Sequence, residues 1–175
     1  VTVQHLDFYF SDIVFLVENQ LFKVPRRNFA VESEVFADMF QLPVPIMDGR
    51  ALDGSCDDQP LRLDGIKKSD FVQLLRVMFP LDSQQPDSLS PEEWTSVLKL
   101  SSMWQFHKIR AAAIKNMETI TMDLVDKIDI ARRFDIPTWL IPTLNALIQR
   151  ESPVGLSEGN RLGMEWVLKV AEVRE

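Results

Sequence analysis

The sequence predicts an α+β fold: a small sheet at the start, helices packed on it, and a helical tail. Three observations predict it. Strand composition is concentrated near the N-terminus, in the run Ile13-Val14-Phe15-Leu16-Val17 and again at Leu21-Phe22-Lys23-Val24. Helical start signals and helical periodicity dominate from Ser90 onward. Between these regions lies Pro43 to Pro60, where prolines, glycines and the aspartates Asp48, Asp53, Asp57 and Asp58 show little periodicity.

The first strand runs from Asp12 to Val17, and its unbroken apolar run is that of a strand buried on both faces. Glu18-Asn19-Gln20 breaks it, and Leu21 to Val24 returns as the second arm of a hairpin. Pro25 ends that arm because it has no N–H to give the ladder. A short helix over Asn28 to Val31 follows. Ser33 caps a second over Glu34 to Phe40, with Val35, Phe36, Met39 and Phe40 at inward spacing. Residues 43–60 read as a long mobile loop with an acidic bias. Leu61-Arg62-Leu63 is a short strand, and Ser69 caps a helix from Asp70 to about Met78 with Phe71, Leu74, Leu75 and Met78 on one face. Pro80 to Leu89 is another loop.

The C-terminal half reads as helical hairpins. Ser90-Pro91-Glu92-Glu93 has the parts of a capping box: a serine acceptor, proline at N1, and a glutamate at N3 able to reach back. Trp94, Val97, Leu98, Ser101 and Trp104 form one face of that helix. Further helices are expected from His107 to about Thr119, from Met122 to Phe134 capped by Thr121, and from Pro137 to Arg150 with Pro142 inside. Ser157 opens a last pair, Glu158 to Leu162 and Met164 to Arg174, broken by Gly163.

Composition narrows the function. Of 175 residues, 46% are apolar, enough for a sizeable core. The net charge of -7 opposes a phosphate backbone, and no basic cluster exceeds a pair, so nucleic acid is not an expected partner. No apolar run reaches the ~20 residues of a membrane span, and no signal peptide is visible. Cys56 stands alone and forms no internal disulfide, which suits the cytoplasm or nucleus. The chain begins without Met and ends in helical sequence, which leaves room for further domains outside it.

The residues then carry a family resemblance. Ser11-Asp12-Ile13-Val14, Leu21-Phe22-Lys23-Val24, Asn28-Phe29-Ala30, and Ser33 with Phe36, Met39 and Phe40 resemble the first half of a BTB/POZ domain. Leu63-Asp64-Gly65-Ile66, with Phe71, Leu74 and Leu75 behind it, resembles the family's later strand and helix. Trp94 to Met117 resembles its closing helical hairpin. The order of motifs in the C-terminal half is similar to that of BTB proteins from basidiomycete fungi. The resemblance implies a BTB/POZ domain over residues 1–119 and a helical BACK-like extension over 120–175.

What the resemblance implies is contact with other proteins. Many family members homodimerise, and some recruit a cullin scaffold as substrate adaptors of ubiquitin ligases. Asp12 and Arg26 stand where transcription-factor members place a facing charged pair near the dimer interface. With Phe8, Tyr9 and Phe10 they make the expected self-association surface. A cullin face would be built around Phe40, Leu42, Trp94 and Met117. Three departures stand out. Pro25 occupies a position where members usually carry His. Phe40 is followed by Gln41-Leu42-Pro43-Val44-Pro45, without the apolar-x-Glu motif of many cullin binders. Only about ten residues precede Asp12, so the swapped-dimer interface that a long preceding helix gives is expected to be at best partial.

Catalytic and metal readings find little support. A hydrolase would need Cys56 as nucleophile with His5 or His107 as base, and the aspartates beside Cys56 have the wrong sign for a thiolate. One Cys and two distant His do not supply a zinc site, and the aspartates of 48–58 lack the alternating ligand spacing of a calcium loop. No nucleotide-binding signature occurs, so no cofactor is expected. Phe8, Tyr9 and Phe10 read either as edges of the core or as an exposed apolar patch, since three consecutive aromatics cannot all face one side of a strand. Among the tryptophans, Trp139 is the one expected nearest a surface, and Phe22 and Phe36 are expected in the core. The reading is a non-enzymatic, self-associating scaffold, with a cullin adaptor as the alternative.

Overall fold

A computed structural model describes residues 2–5, 8–42, 54–80 and 89–174. The predicted loop segments 43–53 and 81–88 lie outside the described residues. The chain divides into two compact units, Val1–Met117 and Glu118–Glu175. Three strands and nine helices are found among the described residues.

In the first unit, β1 (Asp12–Val17) lies at the centre of a sheet of order β2-β1-β3. It pairs antiparallel with β2 (Gln20–Pro25) and parallel with β3 (Leu61–Arg62). Its central place explains its composition: Ile13, Val14, Phe15 and Val17 are all buried, on both faces. β2 flanks it and alternates, with Leu21 and Lys23 exposed and Phe22 and Val24 half-buried. Phe22 is therefore not the full core residue that its type predicts.

Part of the stretch predicted as a mobile loop is ordered. Residues 54–60 fold back on β1, where the Val14 N–H donates to the Gly54 carbonyl at 2.9 Å and Gly54 N–H donates to Gln59 at 2.6 Å. Gly54 has a φ of 84°, and a Cβ on it would stand 2.8 Å from Cγ1 of Ile13. Only glycine gives the backbone both this conformation and this approach.

Helix α1 (Arg26–Glu32) starts directly after the strand, two residues earlier than periodicity suggests. Helix α2 (Glu34–Gln41) is capped as predicted, with the Ser33 hydroxyl accepting from the Phe36 N–H at 3.1 Å. That hydroxyl also donates to the Trp104 carbonyl at 2.5 Å, which joins the start of α2 to the end of a helix 71 residues away. Val35 points outward, while Met39 and Phe40 are half-buried. Helix α3 (Lys68–Met78) begins before Ser69, so that serine caps nothing. Helix α4 (Pro91–Met103) carries the full capping box of Ser90 and Glu93. Helix α5 (His107–Glu118) completes the unit, with Ile109, Ala113 and Met117 buried.

An aromatic cluster fills the middle of this unit. Phe15 of β1 lies 4.9 Å from Phe29 of α1, 5.7 Å from Phe36 of α2 and 5.5 Å from Phe71 of α3, centroid to centroid. Trp104 and Phe106, between α4 and α5, close the group against Phe36. Most of these pairs are edge-to-face, the geometry that ring quadrupoles favour.

The second unit holds α6 (Leu124–Arg133), α7 (Pro137–Gln149), α8 (Leu156–Leu162) and α9 (Met164–Arg174). Val125, Ile128, Leu147, Leu162 and Val170 form its core. Asp123, rather than Thr121, caps α6, by accepting from the N–H groups of Val125 and Asp126. Helix α8 is capped at Gly155 rather than by Ser157, because Glu158 reaches back to the Gly155 N–H at 2.9 Å. Gly163, at φ 85°, makes the break between α8 and α9. The α4–α5 and α6–α7 connections share one device. Gln105 and Asp135 adopt left-handed φ values of 55° and 50°, and the next residue donates back to the helix at 2.8 Å, Phe106 to Ser101 and Ile136 to Ala131. This is the Schellman closure, achieved twice without glycine.

Two outcomes are expected from this packing. Phe36→Ala should cost about 3–5 kcal/mol in equilibrium unfolding, and Phe22→Ala clearly less, because only Phe36 is fully enclosed. Glu158, bonded by the Arg150 guanidinium and by the Gly155 N–H, is held down to about 2 from 4.5. Its folded value lies below its unfolded one, so the stabilisation it gives is complete above pH 4.5 and is lost as the pH falls towards 2. Unfolding of Glu158→Gln should show a shallower pH dependence across that window than the parent chain.

Candidate protein-interaction surfaces

The N-terminal aromatics are exposed. Phe8, Tyr9 and Phe10 retain 73%, 62% and 56% of their surface, so none of them serves as a core edge in the single chain. Phe8 stacks on His5 at 5.1 Å, and Arg27 of α1 lies over Phe10 at 5.7 Å. Three large apolar side chains in water directly before the central strand are an unusual cost for a chain standing alone.

Asp12 and Arg26 are brought together in sequence register but not in an ion pair. Asp12 lies opposite Pro25 in the hairpin, and the Arg26 N–H donates to the Ser11 carbonyl at 2.9 Å. The Arg26 guanidinium turns instead onto the Phe40 ring, 4.1 Å from its centroid. No ion pair joins Asp12 to Arg26 among the described residues. A planar cation finds a nearby aromatic face there, and stacking on it keeps one side of the charge in water.

The four residues assigned to a cullin face separate by burial. Leu42 is 66% exposed just past the end of α2, and Phe40 beside it is half-buried under Arg26. Trp94 and Met117, at 8% and 0% exposed, belong to the core and support a surface without forming it. They face inward because each continues the apolar stripe of its helix, α4 or α5. Met103, at 50% exposed, is an apolar surface residue of α4 that sequence reasoning missed; its position just outside the Trp94–Trp104 face was the available signal.

Charged groups in the first unit do structural work. Asp70 is buried between α3 and α4, where it accepts from Ser96 at 2.9 Å and from Lys99 at 2.8 Å. Burial pushes its carboxyl up, and the bonds and charge of Lys99 with the Ser96 hydroxyl outweigh that and leave it below the usual range. Arg76 bridges the same helices through Glu93 at 3.1 Å. His107 contacts Glu34 at 3.4 Å in an exposed position.

In the second unit Trp139 is buried, against its expected place near the surface. Its indole N–H donates to Glu118 at 3.1 Å, and Lys127 lies over its ring. Pro137 starts α7 with that face turned inward, which its position at a helix start does not reveal. Leu156 and Met164 are 85% and 72% exposed and line a groove of about 460 Å³ together with Gly155, Gly159 and Gly163.

Cys56 is exposed in the turn that bridges to Gln59. No group of three or more His, Cys, Asp or Glu is placed to hold a metal ion among the described residues. No helix among them is long and apolar enough to cross a membrane.

A small mixed sheet with helices packed around it is consistent with what the sequence matches: the family model of the BTB/POZ domain covers residues 4–121. The chain belongs to the BTB/POZ family. BTB/POZ domains are protein–protein interaction modules, and the exposed apolar side chains described above are of the kind such contacts use. No curated protein matches the chain.

A double-mutant cycle checks that Arg26 and Asp12 act independently. Arg26→Gln should cost about 0.5–1 kcal/mol in unfolding of the single chain, and Asp12→Asn should add to it without coupling, because the two side chains form no pair. A coupling above about 1 kcal/mol would mean that the carboxylate and guanidinium meet in solution.

Proposed function

We propose that the chain is a self-associating, non-catalytic scaffold whose BTB/POZ domain pairs with a second copy through its N-terminal aromatic segment. The observation that carries this reading is the exposure of Phe8, Tyr9 and Phe10 in succession. Aromatic side chains give large contact area at small entropic cost and are enriched among the residues that dominate binding energy. Arg26 and Arg27, one over Phe40 and the other over Phe10, would frame the contact with cations, and Asp12 supplies a carboxylate at its edge.

The second reading is a substrate adaptor that binds a cullin. Exposed Leu42 beside Phe40 favours it, since this is the end of α2 where family members present their cullin contact. The absence of an apolar-x-Glu motif after Phe40 counts against it. The helices of the second unit would act as a BACK-like extension of that face.

Size-exclusion chromatography with light scattering tests both. The parent chain is expected to form a dimer at micromolar concentration. Replacing Phe8, Tyr9 and Phe10 by Ser should weaken the dimer at least about a hundredfold while leaving unfolding of the single chain unchanged. A parent chain that stays monomeric at every concentration would remove the scaffold reading. Co-elution with the N-terminal region of a cullin, lost in Leu42→Asp, would establish the adaptor.

A further inference from the structure

Two serines in the chain precede a proline, Ser90 and Ser152. Their surroundings differ completely. The Ser90 hydroxyl is committed to the cap of α4, accepting from Glu93 and donating to Glu92. Ser152 is exposed in the turn between α7 and α8, and its hydroxyl makes no hydrogen bond among the described residues. Only the carbonyl of Ser152 is engaged, and two guanidinium groups converge on it. Arg150 Nε donates at 3.2 Å, and Arg174 Nη1 donates at 3.1 Å.

The two arginines are not equivalent. Arg150 already has a carboxylate partner, since its Nη1 and Nη2 hold Glu158 at 2.7 and 2.8 Å. Arg174 has none among the described residues. Its Nη2 donates to the carbonyls of Arg150 and Glu151 at 2.6 and 3.3 Å, so all three of its bonds go to neutral oxygens. Arg174 is a full cation spread over an exposed turn, without a carboxylate partner among the described residues and with a serine hydroxyl on the residue it grips. A phosphoryl group there would replace weak neutral acceptors by charge-assisted ones.

We infer that Ser152 is a phosphorylation site for a proline-directed serine/threonine kinase, with Arg174 as the preformed receptor for the phosphate. The Ser152 oxygen attacks the γ-phosphorus of a nucleoside triphosphate. The new O–P bond forms as the bond to the nucleoside diphosphate breaks, and the hydroxyl proton passes to the kinase's base. Pro153 biases Ser152 away from helix and towards the extended form in which a kinase takes its substrate. Among the described residues Glu158 and Asp123 act on Arg150, and Glu158 holds two of its nitrogens, which leaves Arg174 to meet the phosphate. The modified residue then ties the α7–α8 turn to the last turn of α9 and stiffens the C-terminal unit.

The full chain is treated with a proline-directed kinase and ATP, the site is located by mass spectrometry, and hydrogen exchange is followed in the peptide spanning 150–158. Phosphate is expected on Ser152, lost in Pro153→Ala. Exchange in that peptide should slow about tenfold on modification. Arg174→Gln should still accept phosphate but lose the slowing, and Arg174→Lys should keep part of it, with circular dichroism confirming that both variants fold. Ser152 left unmodified would overturn the inference. So would exchange that is unchanged or faster in the phosphorylated chain, or slowing that survives intact in Arg174→Gln.

Discussion

The BTB/POZ unit depends on Phe15. This side chain sits at the middle of the central strand, fully enclosed, and meets the rings of Phe29, Phe36 and Phe71. Each of those rings comes from a different helix, so one strand position fixes α1, α2 and α3 at once. Phe36 passes the contact on to Trp104 and Phe106, which brings in α4 and α5. Edge-to-face pairs prefer particular angles as well as distances, and a cluster of them resists sliding as an aliphatic core does not. The buried Ser33 hydroxyl, shared between Phe36 and Trp104, sets the same two helices by a second means.

The C-terminal unit is held differently. Its core is aliphatic and small, and cationic side chains close it. Arg132 donates to the Leu162 carbonyl at 2.9 Å and lies over Trp166, Arg161 pairs with Asp126 and Asp123, and Arg150 grips Glu158. A short helix such as α8 has little propensity of its own and must be secured from outside. Guanidinium groups do this well, because their fixed fork reaches carbonyls and carboxylates that a helix end leaves open. Such closures respond to charge, which is why modification chemistry has a purchase here that it lacks in the aromatic cluster.

Interaction surfaces on this chain are what the two cores leave over. The segment before β1 contributes three rings that stay outside the Phe15 cluster. Leu42 emerges where α2 ends, and Met103 where the inward stripe of α4 turns away. Trp94 and Met117 lie on α4 and α5, and both are spent on the interior. A helix that serves a partner and a core at once must divide its residues between them, and large apolar types go preferentially to the side that excludes water completely.

The sequence by itself determined the α+β class, the buried central strand, the caps at Ser33 and Ser90, and the family. Each of these rests on local chemistry: a run of β-branched residues, a serine three residues before a glutamate, a proline at N1. It also marked Phe8, Tyr9 and Phe10 as unusual, but not on which side of the protein boundary they fall. Tertiary structure decided the rest. It ordered residues 54–60 by backbone bonds to β1 and a close approach at Gly54, left Phe22 half-open because β2 flanks the central strand, and turned Trp139 inward. It set Arg26 on Phe40 instead of Asp12, and it gathered Arg150 and Arg174 around Ser152 from positions 24 residues apart. Those outcomes depend on which distant groups meet, and periodicity along one chain carries no information about that.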